Sequence, residues 1–503
     1  MGELSSGVRV ARGASLLLVQ GVASSLVGVV YFAVVARLLN VADLGRLSAL
    51  GLVSSLFLTA GTLALPSAIV KNVSEHVGGG GLDEARGVFR SAIRLGVGLA
   101  TACSILCFAA SRPLASYLLG ADEYTVLLNL LSLDVFLAVL LPFFSGGLQG
   151  LQWFGWFAGV TLLHSVVRHS VAMLALWGGL GLTGVLYGWI VGDLTATLLS
   201  AALTLRAFAG KKSGQALRSL LHYSSPLYVS SLLGYFLTST DRYLILLLAG
   251  QAVLGIYSPA VTAFGVLALI TNAMGSAIFP KLSEMFGRWG RGSLGEVAKV
   301  SSRYVFLVYV PLAFGLAVTA RPVLALFVGD AFMESALPLV ILCVSSALTC
   351  GVVIVNNVLL AMGRTTVFTA AGLVSLAVDL GFSFLLIGAL GSTGAALARA
   401  AVILVSYAVP AWVLRRAYCQ GVDHAALIKS VVASSIMALT VAGAQLVWSS
   451  KYLLLLYVAV GGVAYLGALR VLKALNRDDF KLVSALVPAK LHWVVDLAEK
   501  ALT

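Results

Sequence analysis

Long apolar stretches alternate with short polar segments along the whole chain. A helix needs about 20 mainly apolar residues to cross the hydrocarbon layer of a bilayer. The pattern therefore predicts an all-α protein with about fourteen transmembrane helices, and twelve or thirteen are alternatives because some stretches adjoin. The spans are expected near residues 13–36, 47–70, 91–111, 125–148, 156–177, 182–205, 226–248, 253–279, 304–320, 335–360, 366–389, 393–414, 428–448 and 452–472.

The composition supports an integral membrane protein. The 503 residues are 60% hydrophobic and only 11% charged, whereas soluble domains carry about 25% charged residues. A net charge of +13 would also suit a nucleic-acid partner. However, the Lys and Arg residues are concentrated in alternate connections, as the positive-inside rule requires of a membrane protein. We therefore predict a multi-pass protein of the cytoplasmic (inner) membrane, with both termini cytoplasmic and no nucleic-acid partner.

A short pattern of apolar and small residues occurs twice at an offset of 210 residues, which indicates an internal duplication. Its copies are Leu38, Ala42, Leu44, Gly45 and Leu248, Ala252, Leu254, Gly255. Two six-helix copies would share one orientation, because an even number of spans returns the chain to its starting side. We predict lobes at 1–210 and 211–420 around a central cavity, two further helices in 421–475 and a cytoplasmic amphipathic tail at 476–503.

Seven charged residues fall inside predicted spans, where each costs about 2.5–3.5 kcal/mol at the helix centre. They are Asp134, Asp193, Asp241, Asp379, Arg168, Arg242 and Arg399. Polar stripes accompany them: His164 shares a helix face with Arg168, and Asp193 begins a stripe that includes Ser200 and Thr204. Such stripes are typical of helix packing, but the charges favour a water-filled cavity between the lobes.

The sequence offers little support for metal, cofactor or enzyme chemistry. The five cysteines form no CxxC pair and are interpreted as small hydrophobic residues. His164 and His169 have no cysteine or carboxylate beside them at ligand spacing, so neither a metal nor a cofactor is predicted. No GxSxG or HExxH motif is present. A membrane polysaccharide polymerase would need a large external loop with acids and bases, and the predicted external loops are short.

Several short motifs occur in a fixed order along the chain. They are Ala36-Arg37-Leu38-Leu39 with Leu44-Gly45, Pro226, Asp241-Arg242, Gly255-Ile256-Tyr257, Pro280, Leu360-Ala361-Met362-Gly363-Arg364 and Gly394-Ala395-Ala396. Their order resembles the polysaccharide transporter branch of the multidrug/oligosaccharidyl-lipid/polysaccharide exporter superfamily over about residues 10–420. The resemblance implies fourteen helices, a V-shaped central cavity and alternating-access flipping of an undecaprenyl- or dolichyl-linked oligosaccharide. A peptidoglycan-precursor flippase and an ion-coupled multidrug exporter of the same superfamily are the alternatives.

The charged residues in the spans suit such a substrate. Arginine offers paired donors to the phosphate or pyrophosphate of a lipid-linked sugar. We therefore predict Arg168, Arg242, Arg399 and His164 as substrate contacts. Asp241, Asp379 and Asp193 are predicted to bind a coupling proton or sodium ion. For Arg168, a structural ion pair with Asp379 or Asp193 is the alternative.

Overall fold

A computed structural model of the chain describes residues 2–210, 217–290, 294–418, 421–448 and 450–474. The predicted tail at 476–503 lies outside the described residues. The described residues form helices and connecting turns, with no strand among them. The α-helices are α1 (Gly2–Leu38), α2 (Val41–Thr62), α3 (Leu65–Gly78), α4 (Leu82–Ala109), α5 (Ser111–Leu114), α6 (Thr125–Gly150), α7 (Phe154–Trp177), α8 (Gly181–Ala207), α9 (Leu217–Leu248), α10 (Gly250–Trp289), α11 (Leu294–Val318), α12 (Ala320–Phe327), α13 (Ala336–Thr349), α14 (Val352–Ala361), α15 (Thr366–Tyr418), α16 (His424–Val447) and α17 (Leu454–Val471).

Twelve segments of the described residues are long and apolar enough to cross a membrane, so the predicted fold class is confirmed. One of them, within α15, is 51 residues long and is broken at Gly391. This break lies between the two spans predicted at 366–389 and 393–414. Gly391 has φ 55° and ψ −128°, a conformation that side chains with a Cβ rarely adopt. The helix predicted at 226–248 lies within α9, which is not among the twelve and carries Arg218, Asp241 and Arg242.

Two predicted spans are each divided into two helices. The span expected at 47–70 breaks at Leu63 and Ala64, both of which have positive φ. Pro66 lies in the first turn of α3, where a proline is tolerated because the first backbone N–H groups have no partner within the helix. The span expected at 335–360 breaks between α13 and α14 at Cys350 and Gly351. A continuous apolar run does not reveal such breaks, because apolar side chains suit both halves and the connection equally well.

The chain divides into two compact units, Met1–Gly255 and Ile256–Thr503. The predicted lobe boundary at residue 210 stays a prediction. In the first unit, α6 packs against α2, α3, α4 and α8, and α7 packs along α8. In the second unit, α16 packs against α11 and α17, while α13 packs against α11 and α15. The two helices predicted beyond the second lobe are α16 and α17, and Tyr465 on α17 donates to the Leu307 carbonyl on α11 at 2.9 Å.

The starts of α2 and α10 cross at very short range within the first unit. A Cβ added to Gly45 would overlap the carbonyl oxygen of Gln251, and one added to Gly255 would overlap that of Val41. Positions 41 and 45 correspond to 251 and 255 at the offset of the duplicated pattern. The crossing is therefore reciprocal: each copy of the pattern places its glycine against the backbone of the other copy.

Candidate functional site

A row of glycines brings α7 and α8 close together. Gly184, Gly188 and Gly192 are spaced four residues apart, so they lie on one face of α8. A Cβ at Gly192 would lie 2.6 Å from the Cα of Arg168, and similar overlaps with α7 occur at the other two glycines. Small residues at this spacing allow membrane helices to approach backbone to backbone. The side chain of Asp193, next to Gly192, can therefore reach the polar face of α7.

Four ionisable side chains meet at this crossing, and we call them the charge cluster: Asp134, His164, Arg168 and Asp193. The Nη1 atom of Arg168 lies 2.6 Å from Oδ1 of Asp193 and 3.7 Å from Oδ1 of Asp134. The Nε2 atom of His164 contacts the same Asp193 oxygen. His164 and Arg168 are one helical turn apart, which explains how a single carboxylate serves both.

Aromatic and hydroxyl side chains surround the charge cluster. The guanidinium carbon of Arg168 lies 4.6 Å from the centre of the Trp189 ring, in cation–π geometry. Trp189 donates from its indole nitrogen to the Tyr31 hydroxyl at 3.4 Å. Ser54 donates to Oδ2 of Asp134 at 3.3 Å. The charge cluster on α6, α7 and α8 is thus connected by hydrogen bonds and ring contacts to side chains of α1 and α2.

The carboxylates are the most deeply buried members of the charge cluster. The side chains of Asp134 and Asp193 are 0% and 2% exposed, compared with 18% for Arg168 and 24% for His164. The Oδ1 atom of Asp134 is buried and receives no hydrogen bond from the described residues. With both carboxylates ionised and a neutral imidazole, the cluster would carry two negative charges and one positive charge. One added proton or cation would then balance it.

His164 also lines a cavity within the first unit. The cavity has a volume of about 330 Å³ and lies among α3, α6, α7 and α8. Its polar lining comes from Ser67, Ser145, Gln149, Thr161 and His164. Thr161 and His164 are three residues apart on one face of α7, and this face borders open space. Arg168 and Asp193 are not part of the lining, so His164 is the member of the charge cluster that borders this space.

The predicted pair Asp241 and Arg242 lies on α9. Asp241 is buried, and its Oδ1 accepts from the backbone nitrogen of Arg242 at 2.8 Å. The guanidinium of Arg242 donates to the Thr238 carbonyl at 3.0 Å and to Ser239 Oγ at 3.2 Å. Much of the bonding of Arg242 is thus local to its own helix.

Two tyrosines of α9 bind one backbone carbonyl of α2. The hydroxyls of Tyr235 and Tyr243 donate to the carbonyl oxygen of Leu52 at 3.0 Å and 2.8 Å. The two hydroxyl oxygens are themselves 2.6 Å apart. This contact fixes the position of α9 against α2 in the first unit.

The remaining predicted site residues belong to the second unit. Asp379 is fully buried on α15, and Ser383 donates to its Oδ1 at 3.3 Å. Arg399 is half-buried, further along the same helix. Of the seven predicted residues, the described structure thus unites His164, Arg168 and Asp193, while Asp241 and Arg242 are adjacent on α9.

The polar stripe predicted on α8 faces the interior of the first unit. Ser200 and Thr204 are fully buried and donate to carbonyls of their own helix at 2.8 Å and 2.7 Å. This stripe fits the helix-packing interpretation, because its hydroxyls are satisfied locally. The predicted site residues included neither Asp134 nor Trp189. The glycine spacing on α8 was the available signal, since it marks the face that meets α7.

The described residues contain no group of three His, Cys, Asp or Glu side chains placed to hold a metal ion. Within the charge cluster, the Arg168 guanidinium is the cation held by the carboxylates, at 2.6 Å from Asp193 and 3.7 Å from Asp134. Because Asp193 contacts both Arg168 and His164, either cationic partner of this carboxylate could be exchanged for another.

A comparison with protein families gives one decisive match. The family described as "Polysaccharide biosynthesis protein" matches residues 34–337. The chain belongs to this family. The match covers the charge cluster, the reciprocal glycine crossing and all of α9.

Individual relatives agree with the family. The chain is 24% identical over 333 residues to the "Probable low-salt glycan biosynthesis flippase Agl15" of Haloferax volcanii, which covers 66% of this chain and 70% of the relative. The structure of "Lipid II flippase MurJ, inward closed conformation" matches 90% of this chain and 98% of its own, with a TM-score of 0.74 and 14% identity. An inward-facing multidrug resistance MATE family transporter of the MOP superfamily covers 77% of this chain and 93% of its own, with a TM-score of 0.65 and 16% identity.

These likenesses establish a shared membrane-transporter fold. Together with the family match, they identify the protein as a multi-pass membrane transporter rather than an enzyme. The polymerase alternative is thereby removed.

Proposed function

We propose that this transporter flips a polyprenyl-(pyro)phosphate-linked oligosaccharide across the cytoplasmic membrane by alternating access. The family match over residues 34–337 carries the proposal, because this family serves polysaccharide biosynthesis. The relative Agl15, named as a glycan biosynthesis flippase, supports a lipid-linked substrate. The proposed orientation places both termini in the cytoplasm, as the distribution of basic residues predicts.

The substrate poses a physical problem that the buried charges address. Its phosphate groups do not enter hydrocarbon without compensation, and arginine can replace the lost hydration through charge-assisted hydrogen bonds. We propose Arg168, Arg242, Arg399 and His164 as the groups that meet the phosphates. Asp241, Asp379 and Asp193 are proposed to take up the coupling proton or sodium ion.

Within the charge cluster, phosphate binding and coupling-ion binding involve the same side chains. Arg168 and His164 both contact Asp193, so a phosphate reaches them only when that carboxylate releases them. A proton or sodium ion on Asp193 would weaken its hold on Arg168 and free the guanidinium. Uptake of the coupling ion and capture of the phosphate would then be one linked exchange.

Reconstituted vesicles test the proposal. The purified transporter is inserted into liposomes with a fluorescent lipid-linked oligosaccharide, and a membrane-impermeant quencher reports which leaflet the label occupies. We expect flipping above that of protein-free vesicles and a response to an imposed proton or sodium gradient. Asp379→Asn is expected to lose the gradient response. An unchanged gradient response in this variant would remove Asp379 from coupling.

The second candidate is a lipid-linked peptidoglycan precursor, which the fold likeness to the lipid II flippase favours. Supplying that precursor to the same vesicles separates the two substrates. Preferential flipping of the precursor would overturn the oligosaccharide assignment. The third candidate, an ion-coupled multidrug exporter, predicts transport of organic cations and no flipping of either lipid.

A further inference from the structure

A basic pocket lies where the end of α3 meets the beginning of α9. It has a volume of about 530 Å³ and is lined by Lys71, Asn72, Arg218, Ser219, His222 and Tyr223. The four α9 residues of this set, at 218, 219, 222 and 223, recur at the spacing of one helix face. The basic pocket is separate from the charge cluster and shares no residue with it.

The basic pocket combines positive charge with several hydrogen-bond donors. Two cationic side chains and one imidazole face it, and no acidic side chain lines it. Among the described residues, Arg218 forms no ion pair. The Nζ atom of Lys71 lies 5.0 Å from the centre of the Tyr223 ring, which sets it against the wall of the pocket.

Lys71 forms an ion pair with Glu75, and this ion pair is weak. The two side chains are 3.3 Å apart and are 49% and 66% exposed. Solvent-exposed ion pairs of this kind contribute little, because water and salt screen them. Lys71 is therefore available to a stronger anion. A phosphate suits the pocket, since it accepts hydrogen bonds from guanidinium, ammonium, amide and hydroxyl donors together.

The position of the basic pocket along the helices points to a lipid headgroup. Lys71 lies beyond the candidate span Val41–Thr62, and the pocket residues of α9 precede the apolar run that opens after Pro226. At 1.5 Å per residue, His222 is about 6 Å along the helix from Pro226. With the hydrocarbon layer beginning near Pro226, as the predicted span 226–248 requires, the pocket lies at the depth of the lipid phosphate groups. Basic pockets between membrane helices bind lipid headgroups at that depth.

We propose that the basic pocket binds the phosphate of a membrane lipid. The lipid is either the polyprenyl diphosphate carrier waiting to enter the transporter or an anionic glycerophospholipid. The first source rests on the proposed function, and the second does not. The pocket would hold the headgroup at the membrane surface, on the side of the membrane where the basic connections lie.

The test uses the full chain in phosphatidylcholine nanodiscs with two probes, citronellyl diphosphate and phosphatidylglycerol. Native mass spectrometry or thermophoresis gives the dissociation constants. We expect Lys71→Gln combined with Arg218→Gln to weaken binding of at least one probe by tenfold or more, about the effect of losing one charge-assisted hydrogen bond. Arg416→Gln is the matched control: it removes a basic residue at the end of α15, stacked on Trp412, far along the chain from the pocket.

The outcomes separate the sources of the phosphate. Loss confined to citronellyl diphosphate assigns the pocket to the carrier, and loss confined to phosphatidylglycerol assigns it to the bulk lipid. Equal binding by the double variant and the wild type, or an equal loss in Arg416→Gln, overturns the proposal. Unchanged thermal unfolding of the double variant checks that these exposed substitutions leave the fold intact. Flipping in vesicles is measured separately from lipid binding. The proposal for the pocket can therefore be refuted while the proposed flippase function stands, and the flippase function can be refuted while the pocket still binds lipid phosphate.

Discussion

Removal of the Arg168 guanidinium is expected to destabilise the transporter strongly. Arg168 is 2.6 Å from Asp193 and 3.7 Å from Asp134, and both carboxylates are almost completely buried. Breaking a buried ion pair by removing one partner costs about 3–5 kcal/mol, because an uncompensated charge remains. Loss of the cation–π contact with Trp189 would by itself reduce the free energy of unfolding by about 0.5–2 kcal/mol. These terms overlap, so we expect a total of about 3–5 kcal/mol for Arg168→Ala.

Thermal unfolding in detergent, followed with a thiol-reactive dye, measures this effect. The chain suits the method because Cys107, Cys343 and Cys350 are buried and should become reactive on unfolding, while the partly exposed Cys103 sets the baseline signal. Arg112→Ala is the matched control, since Arg112 pairs with Asp122 at 3.2 Å but the two side chains are 79% and 55% exposed. We expect the control to change stability by less than about 1 kcal/mol. Equal destabilisation by the two variants would refute the argument from burial.

A double variant separates a structural ion pair from a phosphate contact. Arg168→Ala with Asp193→Asn is expected to recover most of the lost stability, because one of the two uncompensated charges is gone. Flipping should stay absent in this double variant if Arg168 meets the phosphate. Recovery of flipping together with stability would leave Arg168 as a structural partner of Asp193. Arg168→Lys, which keeps the charge and loses the planar fork, should impair flipping only partly.

Three further changes test the packing and the topology. Gly45→Val places a side chain against the α10 backbone and should cost about 1–3 kcal/mol in thermal unfolding, whereas Gly28→Val, with open space around it, is the control. Tyr235→Phe or Tyr243→Phe alone should cost about 0.5–1.5 kcal/mol, since the other hydroxyl still reaches the α2 carbonyl, and the double change should cost more than the sum. A cysteine introduced at Ser293 should resist an impermeant maleimide added to intact cells, and rapid external labelling would contradict the predicted topology.

Much of the fold could be predicted from the sequence because membrane spans are defined by length and apolarity. The break in α15 at Gly391 fell at a predicted boundary, since a polar and glycine-containing segment separates the two apolar runs there. The break at Leu63 and Ala64 was missed because both residues are apolar and the run continues through them. Pro66 was the remaining signal, and a proline alone does not distinguish a kinked helix from two helices.

The candidate site was predictable only along single helices. The spacing of His164 and Arg168 placed them on one face, and Asp193 was one of two expected partners for Arg168. Asp134 lies on a third helix, and its distance to Arg168 depends on how α6, α7 and α8 pack. The spacing of residues within one helix gives no information on a distance between helices. The charge cluster could therefore be recognised only from the three-dimensional structure.

The reciprocal crossing of Gly45 and Gly255 has a consequence for how the duplicated pattern can evolve. Each glycine is confined by the backbone of the other copy, at Gln251 and Val41. A side chain gained in one copy would therefore displace the other copy, and changes in side chains at 41 or 251 would give no relief because the obstacle is main chain. The two occurrences of the pattern can therefore differ in their surrounding sequence but not at this pair of positions. The two glycines act there as a mutual steric restraint.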